Sequence, residues 1–275
     1  MYEGIAIKLV VELLKIVVPK VVPKLIRKMK NKRIAFIDDS NRRENYLGFY
    51  KVYLPMRHTT FSNETERAGT IEALKGLKYE VLGARKDSSL IIRSFGLPLP
   101  AGLVIGYSMH ANGNNKLLYE TSDGCYKNAS DNYKIVEFKP EEIDNSEDCK
   151  EIIDLCFYIQ ANRRDTGSAA FREYVEESDL NPYIVLLVKE VNYSIEINLE
   201  KTAESLVKTM MEYHKMLSNK HSNGIRVHLF FNGFFGLALL LGNQMFQTVP
   251  VQLYDYSGKE QTYQESFELH GEMFN

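Results

Sequence analysis

Cysteine is scarce: Cys125, Cys149 and Cys156 are the only three in 275 residues. Their spacing fits no metal-binding pattern and three thiols cannot all pair, which excludes a disulfide framework and points to free thiols in a reducing cytoplasm. Tryptophan is absent, so aromatic packing and stacking fall to Phe and Tyr. No small-residue cleavage site follows the apolar part of the amino terminus, so no cleavable secretory signal is expected. Excess charge is absent too, since the formal net charge is −2, but that charge is unevenly spread. Residues 1–33 carry nine Lys or Arg against two Glu, a net of +7, and the remainder nets −9. An acidic body is a poor coat for duplex nucleic acid, although a small, locally basic pocket is compatible with it. The length accommodates two ordinary domains or one large domain with a duplicated core.

The basic end is a separate object. Residues 2–18 have helical period, with Lys8, Glu12 and Lys15 on a narrow polar stripe and Ile, Leu and Val filling most of the wheel. Pro19 ends or kinks this helix and Pro23 disfavours its recovery. A basic collar from Lys20 to Arg33 follows. As a lone membrane span the helix is poor, because each central charge costs about 2.5–3.5 kcal/mol while each Leu, Ile or Val returns only about 0.3–0.6 kcal/mol. Two readings stay open: contact with a membrane surface or an oligomeric pore, or docking of the apolar face on a partner protein or a second copy.

The chain shows its plan at Ile225-Arg226-Val227-His228-Leu229-Phe230-Phe231, where an apolar run meets Asn232-Gly233 and an apolar helix follows with Gly236, Ala238 and Gly242. This reads as buried strand, tight turn and helix. In an open α/β sheet such a turn sets backbone N–H groups and a helix N-terminus at the carboxyl edge, where ligands bind. A parallel strand is expected next, from Val249 to Tyr256. Sliding the chain by 136 residues lays a first copy on this one: Phe95 falls on Phe231, Leu103 on Leu239, Gly106 on Gly242 and Met109 on Met245. One residue of slack then sets Leu118-Tyr119 on Leu253-Tyr254, and upstream Ser62 falls on Asn198, both at helix entries. Two copies of one α/β unit is the economical reading.

The remaining segments fit around the copies. Ile34-Ala35-Phe36-Ile37 is a strand candidate ending at Asp38-Asp39, a carboxylate pair read as a solvated turn, so no metal site is expected. Residues 49–54 open the first unit, and Arg57 and His58 stand near the entry of a helix capped by Ser62 or Asn63 and running from Glu64 to about Glu80. Residues 125–179 have no counterpart in the repeat. Within them 152–160 is expected to be helical, and the polar break 162–168 is either a ligand-covering loop or a solvated connection. The second unit continues with 183–188 and a helix capped by Asn198, whose Leu206, Met210, Met211 and Met216 are expected in the core. His228, inside a buried strand, is read as a core histidine, and no catalytic residue is assigned. The tail 263–275 is expected to be a short edge strand and a loose end.

His228-Leu229-Phe230, the glycine turn and helix through Gly242, Leu253-Tyr254-Asp255-Tyr256 and Tyr263-Gln264-Glu265-Ser266-Phe267-Glu268-Leu269 together resemble the carboxyl-terminal signature of SAVED domains. That resemblance implies an α/β fold of two pseudo-symmetric CARF/Rossmann-like units fused in one SAVED domain. The expected boundaries are an amphipathic basic segment at 1–33 and the SAVED domain at 34–275. Its first unit is about 49–124, its connecting segment 125–180 and its second unit about 181–269. The resemblance further implies a cytoplasmic sensor of cyclic oligonucleotides, of the cyclic tri- or tetra-adenylate kind, in CBASS or type III CRISPR antiphage defence. Such sensors oligomerise head to tail and activate an effector. No enzyme fits in the residues ahead of the sensor, so the effector is the amino-terminal helix, at a membrane, or an associated protein.

The ligand-binding candidates are the two helix entries and the two turns. They are Arg57, His58, Ser62 and Asn198; Arg93, Ser94, Phe95, Gly96 and Leu97; and Phe231, Asn232, Gly233 and Phe234, with Tyr119 and Tyr254 closing their strands. Arg57 and Arg93 are phosphate forks. Phe95, Phe231 and Phe234 either stack bases or pack in the core, and the two tyrosines either line the pocket or finish their strands. Pro98 and Pro100 mark the first copy as different from the second, so the two lobes need not hold a ligand equally. The resemblance leaves two competitors: a ring nuclease or phosphodiesterase acting through His58 or His228, and a scaffold that binds no nucleotide.

Overall fold

The computed structural model describes residues 33–38, 50–54, 64–77, 90–95, 97–110, 117–119, 134–144, 152–162, 167–191 and 197–274. The first unit consists of β1 (Arg33–Asp38), β2 (Tyr50–Leu54), α1 (Glu64–Leu77), β3 (Leu90–Phe95), α2 (Leu99–His110) and β4 (Leu117–Tyr119). Its sheet is wholly parallel in the order β2-β1-β3-β4. The second unit consists of β5 (Pro140–Asp144), β6 (Ile153–Gln160), α3 (Ser168–Glu177), β7 (Pro182–Val188), α4 (Leu199–Lys220), β8 (Ile225–Asn232), α5 (Phe235–Gln244), β9 (Val251–Ser257) and β10 (Thr262–Leu269). Here the order is β10-β9-β8-β6-β7-β5, four parallel inner strands closed by antiparallel edges. The edge β5 is short and acidic, which guards it against pairing with another chain.

The stretch 152–160 is not the helix the sequence suggested. It is β6, at the centre of the second sheet and buried at all eight positions. Uninterrupted apolar runs carry no period, so strand and helix look alike, and here the short length and the Ile, Phe and Tyr content decide for the strand. Its counterpart in the first sheet is β1, which likewise sits between its neighbours β2 and β3. Both units therefore reach back further than about 49 and 181. The 136-residue offset did not reveal this because the connections after β1 and β6 differ in length, the second including α3.

One continuous core joins the units. Val52, Leu54 and Ile92 of the first sheet and Leu155, Phe157 and Leu229 of the second belong to the same packed cluster, together with the buried faces of α1, α2, α4 and α5. The other face of the second sheet is covered by α3, where Phe171 stacks on Tyr158 at 4.8 Å and Phe230 stacks on Tyr254 at 4.1 Å. On α4 the expected core residues Leu206 and Met210 are buried and Met216 is partly so. Met211 departs from expectation at 52% exposed, because its place next to Met210 on the wheel turns it past the buried face. The tail is not loose, since Met273 and Phe274 are buried and the Phe274 ring lies 6.3 Å from Tyr107 on α2.

The repeat becomes physical where α2 crosses α5. A Cβ placed on Gly106 would stand 1.9 Å from the Leu239 carbonyl oxygen, and one on Gly242 would stand 2.0 Å from the Leu103 carbonyl oxygen. These are the same contact made twice, because Gly106 pairs with Gly242 and Leu103 with Leu239 at the 136-residue offset. Gly102 and Ala238, also mates, face each other, with 3.0 Å between the Ala238 Cβ and a Cβ built on Gly102. Only residues without bulk let two backbones approach so closely. A third tie between the units comes from α1, where Arg67 Nη1 donates to the carbonyls of Glu265 at 3.2 Å and Ser266 at 2.9 Å, beside the bulge in β10.

The register holds through the helices but not through the strands. Ile92 faces the shared helical core, whereas His228, its mate at this offset, faces α3 with Tyr254. Three residues separate Phe95 of β3 from Leu99 of α2, and two separate Asn232 of β8 from Phe235 of α5. Phe95 is therefore not the structural mate of Phe231. Nor is Tyr119 the mate of Tyr254: Tyr119 packs on the shared core, and Tyr254 lies on the opposite face of its own sheet.

Candidate functional site

Parallel packing of α2 and α5 aligns both lobes. Gly102 meets Phe235 and Ala238, Gly106 meets Leu239 and Asn243, and His110 at the end of α2 pairs through Nδ1 with the Asn243 carbonyl at 2.5 Å. Each helix therefore starts where the other starts. Both strand-turn-helix connections, β3 to α2 and β8 to α5, open at one end of the molecule, beside the carboxyl ends of β1, β3, β6 and β8. In each sheet the chain leaves two adjacent strands (β1 and β3, β6 and β8) for opposite sides of the sheet order, the switch point at which open α/β sheets bind ligands.

The second lobe lines its part of this crevice with short polar groups. Asn162 Nδ2 donates to Asn232 Oδ1 at 2.6 Å, and the Ala161 N–H donates to the Asn232 carbonyl at 2.7 Å, which locks the ends of β6 and β8 together. Gly233 has to be small because a Cβ there would meet the Phe231 ring at 2.7 Å. Gly167, which opens α3, lies close by, since its Cβ would stand 3.4 Å from Asn232 Nδ2. The residues at the starts of α3 and α5, Gly167 and Phe234, give these helices no side-chain cap of their own. Backbone N–H groups at helix N-termini, backed by the helix dipole, favour anionic oxygen. The first lobe offers less, because Pro100 in the first turn of α2 has no N–H to give.

The structure sorts the candidate residues. Asn232, Gly233 and Phe234 stand at the crevice, with the Phe234 carbonyl accepting from the Leu237 and Ala238 N–H groups at the start of α5. Ser94 and Leu97 flank the first turn and are half-buried, and the backbones of Arg93 and Phe95 belong to the end of β3. Tyr119, at the carboxyl end of β4, reaches into the second unit: its ring centre lies 6.0 Å from that of Phe235, and a Cβ on Gly236 would be 2.6 Å from it. Phe231 is packed in the core. Asn198 is buried, and its Oδ1 accepts from the Lys201 N–H at 3.0 Å, so its side chain caps α4. Tyr254 is buried under α3, away from the crevice. Arg57, His58, Ser62 and Gly96 lie outside the described residues.

Asn162 and Gly167 stand beside Asn232; neither is a named candidate, although the break 162–168 that holds them reads from the sequence as a ligand-covering loop or a solvated connection. Both follow β6, and reading that strand as a helix left the break untied to a strand end. The signal was there in the polar break that directly follows eight apolar-rich residues, the same order as at β8.

His228 is the core histidine expected. Its Nε2 faces Asp154 Oδ1 at 2.9 Å and its Nδ1 faces the Tyr254 hydroxyl at 2.8 Å. Asp154 is fully buried and also accepts from Arg226 Nε at 2.7 Å and the Asn181 N–H at 2.8 Å. Burial alone would raise the Asp154 carboxyl, but the hydrogen bonds from His228, Arg226 and Asn181 outweigh it and hold the group below the usual carboxylate range. Burial pushes the neighbouring Cys156 thiol and the Tyr254 hydroxyl upward, so both stay protonated. Asp154 and Arg226 are second residues of their strands, so this network closes the amino edge, opposite the crevice. Among the described residues no cluster of His, Cys, Asp or Glu is placed to hold a metal ion, and no helix is long and apolar enough to cross a membrane. The amino-terminal helix expected at 2–18 lies outside them.

Comparison with known proteins agrees with this architecture. The chain resembles the Acinetobacter baumannii Cap4 SAVED/CARF-domain receptor solved with the cyclic trinucleotide 2'3'3'-cAAA. That match has a TM-score of 0.61 and 13% identity over 87% of this chain and 52% of the receptor. The same receptor with 3'3'3'-cAAA matches at 0.59 and 16% identity, covering 87% and 51%. The Moraxella osloensis Cap4 receptor matches at 0.57 and 14%, covering 87% and 50%. The chain thus spans about half the length of these receptors, and at such identities the likeness is one of fold. Among curated proteins nothing matches. A family model described as "SMODS-associated and fused to various effectors sensor domain" matches residues 74–269, most of the chain, and on that match the chain belongs to the SAVED family.

Proposed function

We propose that this chain senses cyclic oligonucleotides in CBASS-type antiphage defence, closing its paired crevice on one ring of the cyclic tri- or tetra-adenylate kind. The observation that carries the reading is the reciprocal, parallel crossing of α2 and α5, which sets two strand-turn-helix ends side by side at one crevice. A ring of phosphates is an anion that a pseudo-twofold protein can grip twice, with backbone N–H groups from each half. Support for the ligand class comes from the similar Acinetobacter receptor, solved with two cyclic trinucleotides. The lobes contribute unequally. The second supplies the first turn of α5 with Asn232 and Gly233, and the first supplies Tyr119, Ser94, Leu97 and the forks Arg57 and Arg93.

Binding assembles copies head to tail and activates an effector, either residues 1–33 at a membrane or an associated protein. Sedimentation with and without cyclic tri-adenylate tests this: ligand shifts the chain to heavier assemblies, and Arg57→Ala or Arg93→Ala weakens binding by about 1–3 kcal/mol, the scale of a charge-assisted contact. Unchanged affinity in both variants removes those two residues from the site. Absence of binding to any cyclic oligonucleotide contradicts the function, and linear products after incubation reassign it to ring cleavage.

A further inference from the structure

Gln160 is the last residue of β6 and lies at the crevice end of the second sheet, directly opposite Asn232 of β8. It is only 6% exposed, and a carboxamide so enclosed is costly unless both of its ends are satisfied. Its Oε1 accepts from the Tyr158 hydroxyl at 3.2 Å, while its Nε2 has no partner among the described residues. Asn162 shows the converse. Its Nδ2 donates to Asn232 Oδ1 at 2.6 Å, while its buried Oδ1 has no partner among the described residues. An open donor and an open acceptor therefore flank Asn232. A phosphate does not answer both, because its oxygens only accept and would be repelled by Asn162 Oδ1.

A base edge that accepts and donates side by side does answer both. The Watson–Crick edge of adenine, the edge farthest from the sugar, carries an acceptor at N1 beside the donor at its 6-amino group. Building on the reading that this crevice holds a cyclic oligonucleotide, we infer that Gln160 and Asn162 select adenine at the second lobe. Gln160 Nε2 donates to N1, and Asn162 Oδ1 accepts from the 6-amino group. Guanine and hypoxanthine carry an N1–H and a 6-oxo oxygen, so they set donor against donor and acceptor against acceptor. With the phosphates held at the turns, the base is not free to turn over and restore the match. A site built to pair such groups rejects the wrong ligand because its own buried polar atoms stay unpaired. Both side chains are held in place by their other ends. Tyr158, which holds Gln160, is fully buried, stacks on Phe171 at 4.8 Å and stands beside the start of α3, where a Cβ on Gly167 would lie 3.3 Å from its hydroxyl. Asn232, which holds Asn162, is tied through its carbonyl to the Ala161 N–H at 2.7 Å.

Calorimetric titration of the full-length chain with cyclic tri-adenylate and cyclic tri-inosinate tests this, because the two rings differ only at positions 1 and 6 of each base. The parent chain is expected to bind the adenylate at least about tenfold more tightly, the scale of one well-placed pair of base contacts. Gln160→Glu keeps the bond from Tyr158 but turns an acceptor toward the base, so it brings that preference to within about threefold or inverts it. Asn162→Ala, at a half-buried position that tolerates the change, also brings it to within about threefold. A side chain that only supports the fold would weaken both rings alike and leave their ratio untouched. A tenfold preference that survives either substitution, in a chain folded as judged by circular dichroism, overturns the inference, as does a parent chain that binds the two rings equally. A parent chain that binds neither ring removes the sensor function itself, and this inference with it.

Discussion

Gly106→Ala places the whole account under load, because it adds one methyl group at the point where the two units touch. The new Cβ would stand 1.9 Å from the Leu239 carbonyl oxygen and 2.8 Å from the Asn243 nitrogen, backbone atoms that no rotamer change can move. The crossing has to open by more than about 1 Å, which loosens every contact between α2 and α5. Overpacking of this kind costs about 1–3 kcal/mol, and rigid backbone on the receiving side puts this site at the upper end. Replacing glycine by alanine in a helix returns about 1 kcal/mol, so the net loss is about 2 kcal/mol. For a chain of this size that lowers the midpoint of thermal unfolding by about 4–8 °C in a calorimeter. Gly76→Ala on α1, with nothing within 4 Å of its Cβ, is the control and raises the midpoint by about 2–4 °C. Gly242→Ala repeats the loss, and the double variant loses less than the sum, since one opening relieves both contacts. A Gly106→Ala protein as stable as the parent refutes the crossing.

Other consequences follow from the buried polar groups. Asp154 is held below the usual carboxylate range in the fold, so the unfolded chain takes up the proton first on acidification. Its contribution to stability is full above about pH 4 and is lost as the pH falls through the folded value. Asp154→Asn removes that part of the acid limb and costs about 3 kcal/mol by urea titration, less than a fully enclosed pair because the Arg226 side chain is 56% exposed and can turn to water. An unchanged acid limb contradicts the Asp154 network. Asn198→Ala loses the cap on α4 and about 1 kcal/mol by the same titration, with ligand affinity unchanged if capping is its whole role.

Much of this was legible in the sequence, and the reasons differ by element. β8 and α5 could be read because an aromatic and β-branched run stops at Asn232-Gly233, and the duplication could be read because the crossing demands glycine at Gly106 and Gly242. The helical register survived divergence where backbone meets backbone. The strand register did not, because one extra residue in the turn before α2 shifts the phase without changing the glycines. β6 was misread since eight buried positions show no alternation, so the polar break 162–168 was seen but not tied to a strand end. Tyr254 looked like a pocket residue by sequence position alone. Which face of β9 it occupies is set by pairing with β8, a long-range fact that no local pattern records.

Two crevices that act as one hold a single ring between them, so counting bound rings is decisive. Native mass spectrometry of the chain with cyclic tri-adenylate, cyclic tetra-adenylate and their linear counterparts reports stoichiometry and preference together. One cyclic molecule is expected for each chain, with weaker retention of the linear forms. Two rings for each chain, one in each lobe, or no retained ring at all, would contradict it.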